Sequence, residues 1–171
     1  MIDKDIEKAI NKQINEEMYS AYLYLAMSAY FQDINLLGFA NWMFVQYQEE
    51  ISHAMKFYRY LIERGGRVEL YAIEQPAKQW DSPLHALEET LKHERHITQC
   101  INDLADLAEQ KKDRPTLNLL QWYIDEQVEE EANDEEIIAK LKMIGDSPHG
   151  LLMIDSQLAQ RTFVDGAADE E

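Results

Sequence analysis

The sequence is poor in the residues that cross-link a chain or break regular structure. Its 171 residues include one cysteine, four prolines and six glycines, whereas 46% are hydrophobic. The single cysteine, Cys100, excludes an intramolecular disulfide and fits a reducing compartment. So many apolar residues argue against a disordered chain and predict one globular domain, which we place at 1–162. We expect 163–171 to form a mobile acidic tail.

Basic residues and long apolar runs are also scarce. Sixteen lysines and arginines stand against 33 aspartates and glutamates, which gives a formal net charge of −17. This charge argues against nucleic acid as a partner and favours cations. The longest apolar run, near 21–31, is too short to cross a bilayer, and the N-terminus has no signal-peptide pattern. We therefore expect a cytoplasmic protein with no membrane partner.

Apolar residues that recur every three or four positions predict an all-α fold. The pattern indicates four long helices and a short fifth, at roughly 3–31, 35–64, 82–112, 114–144 and 146–161. Asn35 is the predicted N-cap of the second helix, and Ser82 with Pro83 opens the third. The short links make the first two helices antiparallel, and likewise the third and fourth.

The connection between the second and third helices, 65–81, is long for a loop. A helix of 28 residues is about 42 Å long, whereas seventeen extended residues reach at most about 60 Å. The connection can therefore run the length of a bundle, so that the third helix starts parallel to the second. These features predict a four-helix bundle with one long crossover connection and a short C-terminal helix.

Each long helix carries polar, ligand-type side chains in the middle of its apolar stripe. These residues are Glu17, Glu50 with His53, Glu94, and Gln127 with Glu130. Glu17 lies 17 residues before a turn at 34, and Glu50 lies 16 after it. Glu94 lies 19 residues before a turn at 113, and Glu130 lies 17 after it. Antiparallel pairing therefore places these groups at nearly the same height in the bundle.

Buried carboxylates at one height need either protonation or cations, because they repel one another and lose their hydration. Several carboxylates with one imidazole form a ligand set for two divalent ions, and iron, manganese and zinc all suit it. In the predicted geometry Glu50 bridges the two ions, and Glu17 and His53 complete the first position. Glu94 and Glu130 complete the second position.

The fourth helix departs from the pattern of ferritin-like di-iron bundles, in which two helices each supply Glu-x-x-His. It offers Gln127-x-x-Glu130 instead. Gln127 would bind a metal weakly or hold a water. The second position lacks a histidine and should hold its ion more loosely, which suits an ion in transit.

At these residues the chain resembles the non-haem ferritins of bacteria and archaea. The likeness covers nearly the whole chain and is clearest in NWMFVQYQEE at 41–50, ERGGRV at 63–68, WDSPL at 80–84 and LQWYIDEQVEEE at 120–131. Bacterioferritin is less similar, since it has a haem-binding methionine where this chain has Ile51, and a histidine where this chain has Glu130. We therefore expect no haem.

The resemblance implies an iron-storage protein with a ferroxidase centre, where dioxygen or hydrogen peroxide oxidises two Fe(II) ions. The centre's ligands would be Glu17, Glu50, His53, Glu94 and Glu130, with Gln127 beside them. A third iron site would be formed by Glu49, Glu126 and Glu129 and would share Glu130, and Tyr24 matches a tyrosine near the centre. The resemblance also implies a hollow homo-oligomeric shell of twenty-four subunits that stores a hydrated ferric mineral.

Two other functions stay open at this point. The chain could be a shell subunit that binds and nucleates iron without catalysis. It could also be a monomeric or dimeric di-metal redox enzyme, such as a peroxidase or a manganese enzyme. The rate of Fe(II) oxidation distinguishes the first alternative, and the size of the particle distinguishes the second.

Overall fold

The computed structural model describes residues 2–166, and these residues form five α-helices. The helices are α1 (Lys4–Asp33), α2 (Leu37–Glu63), α3 (Pro83–Gln110), α4 (Arg114–Ile144) and α5 (Pro148–Leu158). The all-α prediction is confirmed, and the bundle has the predicted element order. Most of the predicted mobile tail, 167–171, lies outside the described residues. Within 2–166, none of the helices combines the length and the apolar character needed to span a membrane.

The connector 64–82 runs along α1, as its length predicts. Asn11 Nδ2 donates to the carbonyl oxygen of Arg67 at 2.9 Å, and Asn15 Nδ2 donates to that of Ala72 at 3.2 Å. Further along α1, the rings of Tyr30 and Trp80 lie 5.3 Å apart. The connector therefore follows α1 from its first third to its last turn, and α3 starts parallel to α2.

Side-chain caps fix where three of the later helices begin. Ser82 Oγ accepts from the backbone N–H of His85 at 3.1 Å, and Pro83 occupies the first turn of α3. Asp113 caps α4 in the same way, and Ser147 caps α5. These contacts satisfy backbone N–H groups that have no partner inside the helix, so the local sequence determines these boundaries.

The start of α2 differs from the prediction. Asn35 is not its N-cap but adopts a left-handed conformation, with φ of 60°, in the turn after α1. The cap comes from α5 instead, since Asp155 Oδ1 accepts from the backbone N–H groups of Gly38 and Phe39 at 2.8 and 3.0 Å. A Cβ atom at Gly38 would lie 1.6 Å from the carbonyl oxygen of Asp155. Glycine is therefore required for α5 to approach this closely.

Apolar side chains fill both ends of the bundle and leave a polar middle. The cluster near the α1–α2 turn includes Met27, Phe31 and Phe39. The cluster at the other end includes Ile6 and Phe57. The ligand-type residues predicted from the sequence occupy the level between these two clusters.

Candidate metal centre

Four helices contribute the buried polar side chains at this level. Each of these residues is at most 5% exposed: Glu17 on α1, Glu50 and His53 on α2, Glu94 on α3, and Gln127 and Glu130 on α4. Burying this many ligand groups is costly unless hydrogen bonds, protons or cations compensate for the lost hydration. The contacts of each group show how far the protein itself provides this compensation.

Glu17, Glu50 and His53 form the tightest part of the centre. One ligand atom from each lies within 4.8 Å of the others, and His53 Nδ1 lies 3.6 Å from Glu50 Oε2. Gln13 Nε2 donates to Glu17 Oε1 at 2.9 Å, whereas Glu17 Oε2 has no hydrogen-bond partner among residues 2–166. The rings of His53 and Trp122 pack in a T-shaped arrangement, with centroids 5.3 Å apart. The imidazole is thus held in place by packing.

Glu94 and Glu130 are held by hydrogen-bond donors. Gln127 Nε2 donates to Glu94 Oε2 at 3.0 Å, and the Tyr24 hydroxyl donates to Glu94 Oε1. Gln46 Nε2 donates to Glu130 Oε2 at 2.9 Å. Glu94 and Glu130 lie outside the 4.8 Å group formed by the first three residues. The second predicted metal position is therefore occupied by carboxylates that already have protein partners.

Burial and mutual repulsion disfavour the ionised acids. Burial raises the pKa of Glu17 well above its ordinary value of 4.5, and the charge of Glu50 raises it further. The pKa of Glu50 is raised well above 4.5 by burial and then by the charges of Glu94 and Glu130. The pKa of Glu94 rises to about 7, chiefly through burial, although hydrogen bonds from Tyr24 and Gln127 lower it. A bound cation would reverse this repulsion, since it favours the ionised forms.

The donor set suits hard or borderline divalent ions. Carboxylate oxygens with one imidazole are the ligands expected for iron, manganese or zinc. The unpartnered oxygen of Glu17 and its neighbours Glu50 and His53 fit a first metal position. Glu94 and Glu130 fit a second position, provided that the amide groups of Gln127 and Gln46 move aside or bind with them.

The residues predicted for a third site are more dispersed. Glu49 Oε2 accepts from Arg161 Nη2 at 2.7 Å, and burial raises the pKa of Glu49 to about 7 although Arg161 lowers it. Glu126 is half-buried and Glu129 is exposed. Burial raises the pKa of Glu126, and the charge of the nearby Glu130 raises it further. An arginine therefore already neutralises one of the predicted ligands.

Tyr24 lies where it can act on the centre. It is fully buried, and its hydroxyl contacts Glu94 directly. Burial and the charge of Glu94 raise the pKa of Tyr24 well above 10.0, so the phenol stays protonated and remains a donor.

Three residues that contact the centre or lie beside it had no predicted role. Gln46 and Asp134 lie on apolar stripes, and their polar side chains were the available signal. Arg161 follows α5, and no periodic pattern connects it to the centre. Its guanidinium contacts Gln46 Oε1 and lies 4.0 Å from the Trp42 ring centroid. It therefore links the C-terminal segment to both Gln46 and Glu49.

Comparison with known proteins gives consistent matches along the chain. A family model described as a ferritin-like domain matches residues 7–144. The bacterial non-heme ferritin of Bacteroides fragilis is 43% identical over 161 residues, covering 94% of this chain and 100% of that protein. The bacterial non-heme ferritin of Campylobacter jejuni is 41% identical over 158 residues, covering 92% and 95%.

Solved structures also match over almost the whole chain. A closed form of the Archaeoglobus fulgidus ferritin, engineered by site-directed mutagenesis, is 51% identical with a TM-score of 0.95. The match covers 96% of this chain and 100% of the engineered ferritin chain. An open pore ferritin from the same archaeon gives 51% identity and a TM-score of 0.94, over 95% of this chain and all of that one.

Proposed function

Because this chain belongs to the ferritin family, we propose that it stores iron and that it oxidises Fe(II) at the buried centre. The observation that carries this proposal is the group formed by Glu17, Glu50 and His53, whose ligand atoms lie within 4.8 Å of one another inside a bundle core. Acids in such a position are destabilising unless they bind cations. The role of these residues is therefore to bind the iron substrate.

In the proposed reaction the chain's own groups bind two Fe(II) ions and give up protons. Glu50 lies between the two halves of the centre, since its carboxylate interacts with the charges of Glu94 and Glu130 as well as with His53. Iron binding lowers the raised pKa values of the acids, which then coordinate as carboxylates. Carboxylate oxygens stabilise Fe(III) more than Fe(II) because Fe(III) is the harder ion. Each Fe(II) gives one electron to the oxidant, dioxygen or hydrogen peroxide.

We propose that the ferric product leaves through the second position. That position has Glu94, Glu130 and the neutral Gln127, without a histidine, so it holds an ion more weakly than the first position. Glu130 belongs to an acidic run on α4, with eight aspartates and glutamates between 125 and 136. This run includes the proposed third-site residues Glu126 and Glu129. A third iron ion would have to displace Arg161 from Glu49.

Exposed apolar residues support assembly of several copies into a shell. The partly or fully exposed large apolar side chains include Tyr22, Phe44 and Ile62 on the helices, and Leu70 and Tyr71 in the connector. We propose that such residues pack between subunits of a homo-oligomeric cage that encloses the hydrated ferric mineral. The lone Cys100 favours a cytoplasmic location. Light scattering of the purified protein tests the assembly.

Substitution of the first metal position tests the catalytic proposal. We expect Glu50→Ala and His53→Ala each to lower the initial rate of Fe(II)-dependent oxygen consumption by about 100-fold or more, because each removes a ligand that positions the iron. Stopped-flow absorbance and an oxygen electrode measure this rate. His149→Ala removes an exposed histidine and should leave the rate unchanged. If Glu50→Ala oxidised Fe(II) at the initial rate of the wild type, the catalytic proposal would be wrong, and the chain would be a shell subunit without this catalytic centre.

A further inference from the structure

A second group of ligand-type side chains lies on the α1–α3 face, outside the centre. It consists of Glu16, His96 and Cys100, and one ligand atom from each lies within 4.8 Å of the others. Glu16 is next to Glu17 in sequence, but Glu17 is 1% exposed and points into the core whereas Glu16 is half-buried. The two groups therefore lie on different faces of α1 and share no residue.

Helix geometry brings these three residues together. His96 and Cys100 are four residues apart on α3, so they share one face of that helix. Glu16 approaches from the antiparallel helix α1, and its Oε2 lies 3.0 Å from His96 Nε2. Cys100 Sγ lies 3.6 Å from the same nitrogen. All three donor atoms thus surround one point between the helices.

These separations fit the edges of a metal tetrahedron. Ligand atoms at about 2.0–2.3 Å from a tetrahedral ion lie about 3.3–3.8 Å from one another. The two separations from His96, 3.0 Å to Glu16 and 3.6 Å to Cys100, therefore require shifts of only a few tenths of an ångström. The Glu16 and Cys100 atoms lie within 4.8 Å of each other and close the third edge by a side-chain movement. We propose that Glu16, His96 and Cys100 form a separate binding site for a borderline-soft divalent ion such as Zn(II) or Co(II). The side chain of His96 is 53% exposed, so water can reach a fourth position.

The ligand chemistry separates this site from the iron centre. Cys100 is the only cysteine in the chain, so this is the only site that can offer a metal a thiolate ligand. A thiolate with an imidazole favours zinc over the harder ferric ion, whereas the centre offers mostly carboxylates. Burial and the charge of Glu16 raise the pKa of Cys100 to about 11, so a metal must displace the thiol proton. The proposal does not depend on ferroxidase activity.

Cobalt is a direct probe of this site because a Co(II)–thiolate bond gives a charge-transfer band in the near ultraviolet. We expect anaerobic titration of the reduced, metal-free chain with Co(II) to produce this band, with a final intensity that corresponds to one thiolate-bound Co(II) per chain, while the carboxylate centre takes up Co(II) without a thiolate band. Zn(II) should then remove the band by displacing cobalt. Cys100→Ser should abolish it, and His96→Ala or Glu16→Gln should weaken Co(II) binding by about 10-fold or more.

Two controls separate this site from the iron centre. Glu50→Ala should retain the full thiolate band although it lacks a ligand of the centre. His149→Ala should also retain it, since this histidine is exposed and lies on α5. Absence of the band in excess Co(II) would overturn the proposal. An unchanged Co(II) affinity in both His96→Ala and Glu16→Gln would also overturn it, because Cys100 would then bind cobalt without these partners.

Discussion

At the scale of single residues, the buried acids Glu94 and Asp134 differ in the hydrogen bonds that their carboxyl groups receive. Glu94 receives hydrogen bonds from Tyr24 and Gln127. Asp134 is 1% exposed, and neither of its carboxyl oxygens has a hydrogen-bond partner among residues 2–166. Burial raises the pKa of Asp134 well above 3.8, and the charges of Glu94 and Glu130 raise it further. Asp134 therefore destabilises the metal-free bundle.

We expect Asp134→Leu to stabilise the metal-free protein by about 1–3 kcal/mol, because it removes an unsatisfied buried polar group. Chemical denaturation followed by circular dichroism measures the free energy of unfolding. Asp134→Val offers a smaller side chain in case leucine is too large for the space. Asp125→Leu, at an exposed position of the same helix, should change stability by less than about 0.5 kcal/mol. Lower stability in both Asp134 variants would contradict the argument.

At the scale of secondary-structure elements, α5 completes α2. Asp155 supplies the N-cap that the local sequence before α2 lacks, since Leu36 makes no side-chain cap. A short helix such as α5 is marginal in isolation, so its docking on α2 stabilises both elements. The anionic Asp155 side chain also interacts favourably with the positive end of the α2 dipole.

Removal of this cap should loosen the start of α2. We expect Asp155→Ala to lower the free energy of unfolding by about 0.5–2 kcal/mol and to speed hydrogen exchange at the amides of Gly38 and Phe39. Asp155→Asn keeps an acceptor oxygen and should lose less. Asp146→Ala removes an exposed acid just before α5 and serves as the control. Unchanged exchange at these two amides in Asp155→Ala would show that the cap is unimportant.

The contacts that position the helices are either local in the sequence, and then predictable from it, or distant in the sequence, and then not predictable. Caps such as Ser82 act within three residues, so the starts of α3, α4 and α5 were predicted closely. The acids of the centre were also predictable, because a charged residue on an apolar stripe is visible within one helix. The contacts of Asp155 with α2 and of Arg161 with Glu49 join residues more than 100 positions apart. Such contacts depend on tertiary packing and leave no local pattern.

At the scale of the whole molecule, stability and charge oppose each other. The chain carries a formal net charge of −17, and several of its acids are buried beside one another. Ionisation of those acids is disfavoured in the folded protein but not in the unfolded chain. The fold is therefore adapted to a state in which protons or cations balance the acids.

This opposition predicts how stability depends on pH. The pKa of Glu94 is about 7 in the folded protein, compared with an ordinary value of 4.5. An acid whose pKa is raised by folding contributes stability below the unfolded value and loses it as pH rises through the folded value. We expect the thermal unfolding midpoint of the metal-free protein to decrease as the pH rises from about 5 to 8. The loss of free energy of unfolding from Glu94 alone is on the order of 3 kcal/mol.

Thermal unfolding at several pH values measures this effect. Glu94→Gln should flatten the pH dependence, and a divalent cation that binds the centre should restore stability at high pH. The acids with lowered pKa values, Asp3 and Asp113, act only at lower pH. Burial lowers the pKa of His93 from 6.5 to about 4, so this imidazole opposes the trend up to about pH 6.5. The larger number of buried acids with raised pKa values outweighs it: Glu17, Glu49, Glu50, Glu94 and Asp134. A midpoint that rises steadily from pH 5 to 8 would contradict the prediction.

The guanidinium of Arg161 has a practical consequence for protein engineering. It contacts Glu49 and Gln46, and Gln46 in turn donates to Glu130, so the segment that follows α5 is connected to the candidate metal centre. A design that deletes or displaces Arg161 would break this connection. A protease that trims the chain before residue 161 would release Glu49 to bind cations.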